Sequence, residues 1–228
     1  MNTPAYEALA WTYDTVGTLG LPLAVLVWLT VVLASVGLHL LLRRCELLPS
    51  ERRWAVGVGL LALVCHLQDI GLTLWTTPDL AQEINPIWLA VVQAWGVPAA
   101  IAYGSSGKLL LALLSYQLFA LYLVQRRGMY PAAETSAGFR VFWAAFGASP
   151  GLGPQRFLSW VNLFAFVFPL VAPLMLYASL LNSTDSPALL RVLPPWPLVC
   201  VVWVGAVAVA WAVLTWRAWL RWRGRVLG

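Results

Sequence analysis

The sequence predicts an all-α, polytopic integral membrane protein: a helical bundle of five transmembrane helices plus one short re-entrant or interfacial helix. Three observations predict it. The 228 residues are 61% hydrophobic and only 10% charged, whereas a soluble domain carries about 25% charge. Charge-free runs recur that exceed the ~20 residues a helix needs to cross ~30 Å of hydrocarbon. The arginines gather between these runs and not within them. Such a composition excludes a disordered chain, an ordinary cytosolic enzyme and a nucleic-acid binder, despite a pI of about 9.4. The net charge of +5 bears on topology and not on a nucleic-acid partner. Cys45, Cys65 and Cys200 lie far apart and form no CxxC, so neither a disulfide framework nor a zinc site is expected.

The elements follow in order. An N-terminal tail carries Glu7 and Asp14 and no positive charge, which suits translocation. It has no basic n-region or A-x-A site, so no signal peptide is expected. The first span covers 17–42, free of charge, and the second 54–76, interrupted by Asp69 alone. Ile87 to Gln125 is harder, with 39 residues and one charge, Lys108. As a single helix it would reach ~58 Å, too long for one crossing. Asn85-Pro86 is a helix start, with Asn as cap and Pro at the first position. Gly96-Val97-Pro98 then ends that helix and begins the next. The reading is therefore a short re-entrant or interfacial helix over 86–95 and a third span over 98–125.

A Gly/Pro-rich cytoplasmic loop occupies 126–156, in which Phe139–Phe146 (FRVFWAAF) is expected to lie flat at the interface. The fourth span, 157–181, contains Pro169 and Pro173 and should kink there. The fifth, 196–217, ends in a Trp/Arg run. There Trp216, Arg217, Trp219, Arg221, Trp222 and Arg223 read as an aromatic belt with a basic anchor on the anionic leaflet.

Arginine placement decides the number of spans. With five spans and the N-terminus outside, twelve of the thirteen arginines face the cytoplasm and only Arg191 falls outside. With six spans, the inside would keep Arg43, Arg44, Arg52, Arg53, Lys108 and Arg191 against eight outside. Five spans satisfy the positive-inside rule; six violate it.

Lys108 is the chain's only lysine, ten residues into the third span. That is ~15 Å deep, near the bilayer midplane and too far to snorkel. Gly104-Ser105-Ser106-Gly107 precedes it and lets another helix or water approach. Asp69 lies seven residues before the outer end of the second span, ~10 Å deep. Charges at such depth are paired or line a wet cavity. Cys65, His66, Asp69 and Thr73 share one helix face, and Glu83 and Asn85 arrive from the outer loop. The expected pocket opens outward and contains Asp69, Lys108, Glu83, Asn85, Thr73, His66 and Ser106. The plain structural alternative is an Asp69–Lys108 ion pair that fixes helix registry. Lysine, unlike arginine, can release its proton when buried.

These residues resemble a family. The order Asp69-x-x-x-Thr73, Glu83-x-Asn85-Pro86 and a later Lys108 is similar to a D-x-x-x-T … E-x-N-P … K pattern. That pattern belongs to an uncharacterised prokaryotic family of small helical membrane proteins. The resemblance covers residues 55–125 and leaves out the first and the last two spans. It implies that Asp69, Thr73, Glu83, Asn85, Pro86 and Lys108 act as a unit in a prokaryotic cytoplasmic membrane. It implies no activity.

Other chemistry is disfavoured. A bis-histidine haem would need both His39 and His66, which lie ~6 and ~20 Å deep. A retinal Schiff base on Lys108 would want a larger bundle. A metal on His66, Asp69 and Glu83 lacks any H-x-x-H spacing. No phosphate-binding or dinucleotide fingerprint occurs, and Gly104-Ser105-Ser106-Gly107 is not a nucleophile elbow. The fourteen tryptophans read as interface and packing residues, and no cofactor is expected. Three classes of function stay open. The first is a transporter, channel or binder of an ion, a proton or a small polar ligand. The second is a non-catalytic subunit of a larger membrane complex, and the third an intramembrane enzyme using Glu83 or Asp69 as acid or base. Expected partners are the lipid bilayer and either a second copy or such a complex.

The topology has a direct check. A cysteine placed at Thr77 should react with an impermeant reagent added outside, and one at Gly128 should not. Labelling of Gly128→Cys from outside would overturn the five-span reading.

Overall fold

The computed structural model describes residues 4–80, 86–146, 155–184 and 192–228. Helices α1 (Pro4–Leu42), α2 (Pro49–Thr76), α3 (Pro86–Trp95) and α4 (Val97–Gly128) form the first half. Helices α5 (Phe139–Ala145), α6 (Gln155–Val167), α7 (Ala172–Asn182) and α8 (Trp196–Leu227) follow, with a 3-10 turn at Phe168–Val171 between α6 and α7. Five stretches are long and apolar enough to cross a membrane: Gly20–Leu42, Pro49–Thr76, Val97–Gly128, Phe157–Leu181 and Trp196–Leu227. The fold is an all-α membrane bundle.

Local chemistry sets the ends. Pro4 opens α1, which runs through Pro22 without a break, so helix also occupies most of the tail that precedes the first apolar run. Pro49 occupies the first turn of α2, and the Glu51 carboxylate accepts the Leu48 N–H at 3.1 Å. This satisfies one donor that the helix start would otherwise orphan. Gly96, with φ +83, separates α3 from α4 in a conformation that glycine adopts without strain. Pro98 then sits in the first turn of α4. In the fourth span, Pro169 and Pro173 remove two backbone donors; Pro169 lies within the 3-10 turn and Pro173 in the first turn of α7.

Helix α4 is the centre, packed on α1, α2, α3 and α6. Its Leu114, Leu118, Phe119, Tyr122 and Leu123 form the main core with Ala55, Ala165, Phe166 and Val207. On α2, Gly59 lets the helix approach Tyr116 of α4 so closely that an added Cβ would lie 2.8 Å from the Tyr116 Cβ. Helix α3 docks through Trp88, whose indole occupies the space where Gly104 lacks a side chain. Leu80, Val91, Ala24 and Ala100 complete that layer.

At the cytoplasmic end expected from the sequence, the Trp/Arg run departs from a lipid-facing belt. Trp219 is fully buried and donates to the Pro131 carbonyl at 3.1 Å. Trp216 donates to Ala137 at 3.2 Å, and Arg223 to Ala133 at 2.6 Å while lying over the Trp219 ring. Trp222 packs on Tyr130; Arg217 and Arg221 stay exposed. Helix α8 continues to Leu227, well past residue 217, and this extension clamps the loop after α4. Helix α5 closes the layer, with Phe142 and Phe146 buried against Trp219 and Trp211. The amphipathic segment spends its apolar face on protein because α8 offers a tryptophan surface there. Burial pushes the Tyr130 phenol up to about 12, so it stays neutral at physiological pH.

The Trp88–Gly104 joint is testable by thermal unfolding in detergent. Gly104→Ala should cost ~1–3 kcal/mol, the usual cost of overpacking. In a Trp88→Ala background the same substitution should cost nothing further. Equal losses in both backgrounds would show that the indole is not what Gly104 accommodates.

Candidate functional site

Asp69 faces inward from α2, on the same stripe as Ala55, Ala62, Cys65 and His66, all buried. One carboxylate oxygen, Oδ2, pairs with Lys108 Nζ of α4. The other, Oδ1, accepts the Ser179 hydroxyl of α7. A short side chain reaches both because the neighbouring layer is built from small residues. Ala62, Cys65, Ala112 and Ala172 pack together just beside the site and let α2, α4 and α7 come close. On α4, Gly104, Lys108 and Ala112 fall at i, i+4 and i+8, one stripe. Lys108 therefore lies between the Trp88-filled position and the small-residue layer. Packed side chains bound the ion pair along α4 in both directions.

The other expected pocket residues are placed as follows. His66 is buried one turn from Asp69, and its Nδ1 has no hydrogen-bond partner among the described residues. Thr73 donates to the Asp69 backbone carbonyl at 3.0 Å, a local helix bond, and not to the carboxylate. Ser106 turns away. Its hydroxyl donates to Tyr103 O at 3.0 Å and accepts from Trp28 Nε1 at 3.3 Å, towards α1. Two residues along a helix are ~200° apart, so Ser106 and Lys108 face different neighbours. Glu83 and Asn85 lie outside the described residues. Among those described, no three His, Cys, Asp or Glu side chains gather as a metal site.

Ser179 is the member that sequence reasoning missed. A serine in a span bonds its own helix as readily as a neighbour, so nothing in the sequence marks it. Its only signal is a hydroxyl near the end of a mostly apolar segment.

A second polar network lies at the opposite end of α4. Buried Glu51 sits 3.5 Å from Arg127 and 3.9 Å from Arg126. Arg126 donates to the Tyr122 hydroxyl at 3.1 Å, which meets Thr215 of α8 at 3.2 Å. Buried Asn162 of α6 donates to the Tyr122 carbonyl at 3.3 Å and accepts from Trp211 at 3.0 Å. In the sequence Glu51 stands beside Arg52 and Arg53. Its role as the counter-charge that holds α4 against α2 required the fold.

Chemically, the Asp69 centre is close to neutral, with one carboxylate against one ammonium. The carboxylate and the ammonium each offer more hydrogen-bonding sites than these partners use. His66 adds a buried lone pair or N–H, according to tautomer. Compared with known proteins, the chain matches no family model, no curated protein and no solved structure.

The pair makes a quantitative prediction for stability. Lys108→Met alone leaves a buried carboxylate with Ser179 only, and should cost ~3–5 kcal/mol. Adding Asp69→Leu should recover much of that loss, because the double variant buries no charge. The midpoint of thermal unfolding in detergent is the readout. Additive losses would mean that the two charges are not each other's counter-ion.

Proposed function

We propose that this membrane protein binds an ion, a proton or a small polar ligand at the Asp69–Lys108 centre and serves as a small transporter or carrier. The observation that carries the reading is one carboxylate shared by Lys108 of α4 and Ser179 of α7, beside a His66 nitrogen with no partner among the described residues. A pair kept only for registry needs no neighbouring polar group held buried without a partner. The broken helix α6–α7 supports the same reading. So does the α3–α4 break at Gly96, since discontinuous helices beside intramembrane charges are how many transporters build sites, an analogy of architecture. In this proposal Glu83 and Asn85 extend the site from the outer loop. The N-terminus is outside and the C-terminus in the cytoplasm of a prokaryotic cell, as the arginines favour.

A second reading has one observation in its favour. Both Asp69 oxygens are engaged by the protein itself, as a registry device for a bracing subunit of a larger complex would require.

Purified protein in liposomes separates the two readings. Protons, alkali cations and small zwitterionic solutes are each tested for flux and for a shift in unfolding temperature. The expected result is a response to one class in the wild type that is lost in Asp69→Leu/Lys108→Met, with folded protein still in the membrane. A double variant that responds as the wild type does would make the centre structural.

A further inference from the structure

The outward side of α2 carries a pattern that the Asp69 centre does not use. Gly57, Leu61, Val64, Gln68, Gly71 and Trp75 are spaced 4-3-4-3-4 along the helix, and all six are exposed. That spacing keeps the six residues on one stripe, the spacing at which a second helix can pack. At both Gly57 and Gly71 an added Cβ would meet nothing within 4 Å, so a partner helix can come close there.

Gln68 distinguishes this face from ordinary lipid-facing surface. It lies eight residues before the end of α2, ~12 Å below it, and makes no hydrogen bond among the described residues. Lipid tails offer it none, and a headgroup is too far away. The exposed faces of α1 and α8 differ. On α8 they present Val201, Val202, Val204 and Val209, and on α1 the Thr30 hydroxyl is already bonded to the Leu26 carbonyl at 2.8 Å. A groove of about 470 Å³ opens beside Gln68, lined also by Gly71, Leu72, Trp75, Leu176 and Leu180. Next to it stands Trp75, 87% exposed. Groove and projecting ring lie on one surface, as an isologous contact requires.

We infer that α2 pairs with α2 of a second copy of this chain, with Gln68 meeting Gln68 at the two-fold axis. An amide is donor and acceptor at once, so it is complementary to its own copy. In the parallel arrangement that a shared membrane orientation imposes, equal heights face each other. Gly71 then lets the helices approach, and each Trp75 seats beside Leu72 and Leu180 of the other copy. Interhelical amide bonds and small-residue contacts are what drive such association in lipid. The inference is independent of what the Asp69 centre binds.

The test uses the full chain in liposomes, with Cys45, Cys65 and Cys200 replaced by alanine. Val64→Cys and Gly71→Cys should form disulfide-linked dimers under mild oxidation, and Val202→Cys on α8 should not. With native cysteines retained, single-molecule photobleaching at falling protein-to-lipid ratio should show dimers. Gln68→Leu should weaken that association about tenfold, while an exposed position keeps the variant folded. Three results would overturn the pairing: a monomeric wild type at every ratio, cross-linking at Val202 but not at 64 and 71, or unchanged association in Gln68→Leu.

Discussion

One buried carboxylate organises one half of this protein. Asp69 is buried in a helix long and apolar enough to cross a membrane, and an isolated charge there costs several kcal/mol. It is tolerated because α4 supplies Lys108 and α7 supplies Ser179. The consequence is mutual: each helix is registered against the other two by a contact that fails if any of them slides by a turn. The small residues around Cys65 and Ala172 are the condition for it, since a bulkier layer would hold α7 beyond the reach of a serine hydroxyl.

The same logic, with different chemistry, holds the other half. Here α4 carries arginines, α2 returns Glu51, and Tyr122 extends the network to α8 through Thr215. Beyond it, three donors of α8 grip three carbonyls of the loop after α4. Carbonyls that a loop would otherwise leave to solvent are satisfied by indole and guanidinium groups, which explains tryptophan and arginine in alternation better than lipid contact alone.

Between the two halves lies the contrast that matters for function. The Glu51 network is rich in hydrogen bonds and bulky aromatic packing. The Asp69 centre is bounded by glycine, alanine and one docked indole, Trp88 over Gly104, with a histidine nitrogen that has no partner among the described residues. The site that the proposed function needs is placed among these small residues, beside a short helix joined at a positive-φ glycine.

The sequence by itself determined the membrane class, the five apolar spans, the short helix that begins at Pro86 and ends before Gly96, and the two charges that could meet. Each follows from a cost that depends on residue type and spacing: charge in hydrocarbon, missing donors at proline, arginine kept out of the apolar runs. Tertiary structure alone decided which neutral polar groups joined those charges. Ser179 was invisible because a helical hydroxyl can satisfy itself. Ser106 was misdirected because adjacency in sequence hid its ~200° offset from Lys108. Glu51 and Trp219 gave no warning of burial, since a carboxylate among arginines and a tryptophan near a helix end both read as surface. Partner choice among hydrogen-bonding groups is set by which helix faces which, and no single helix carries that information.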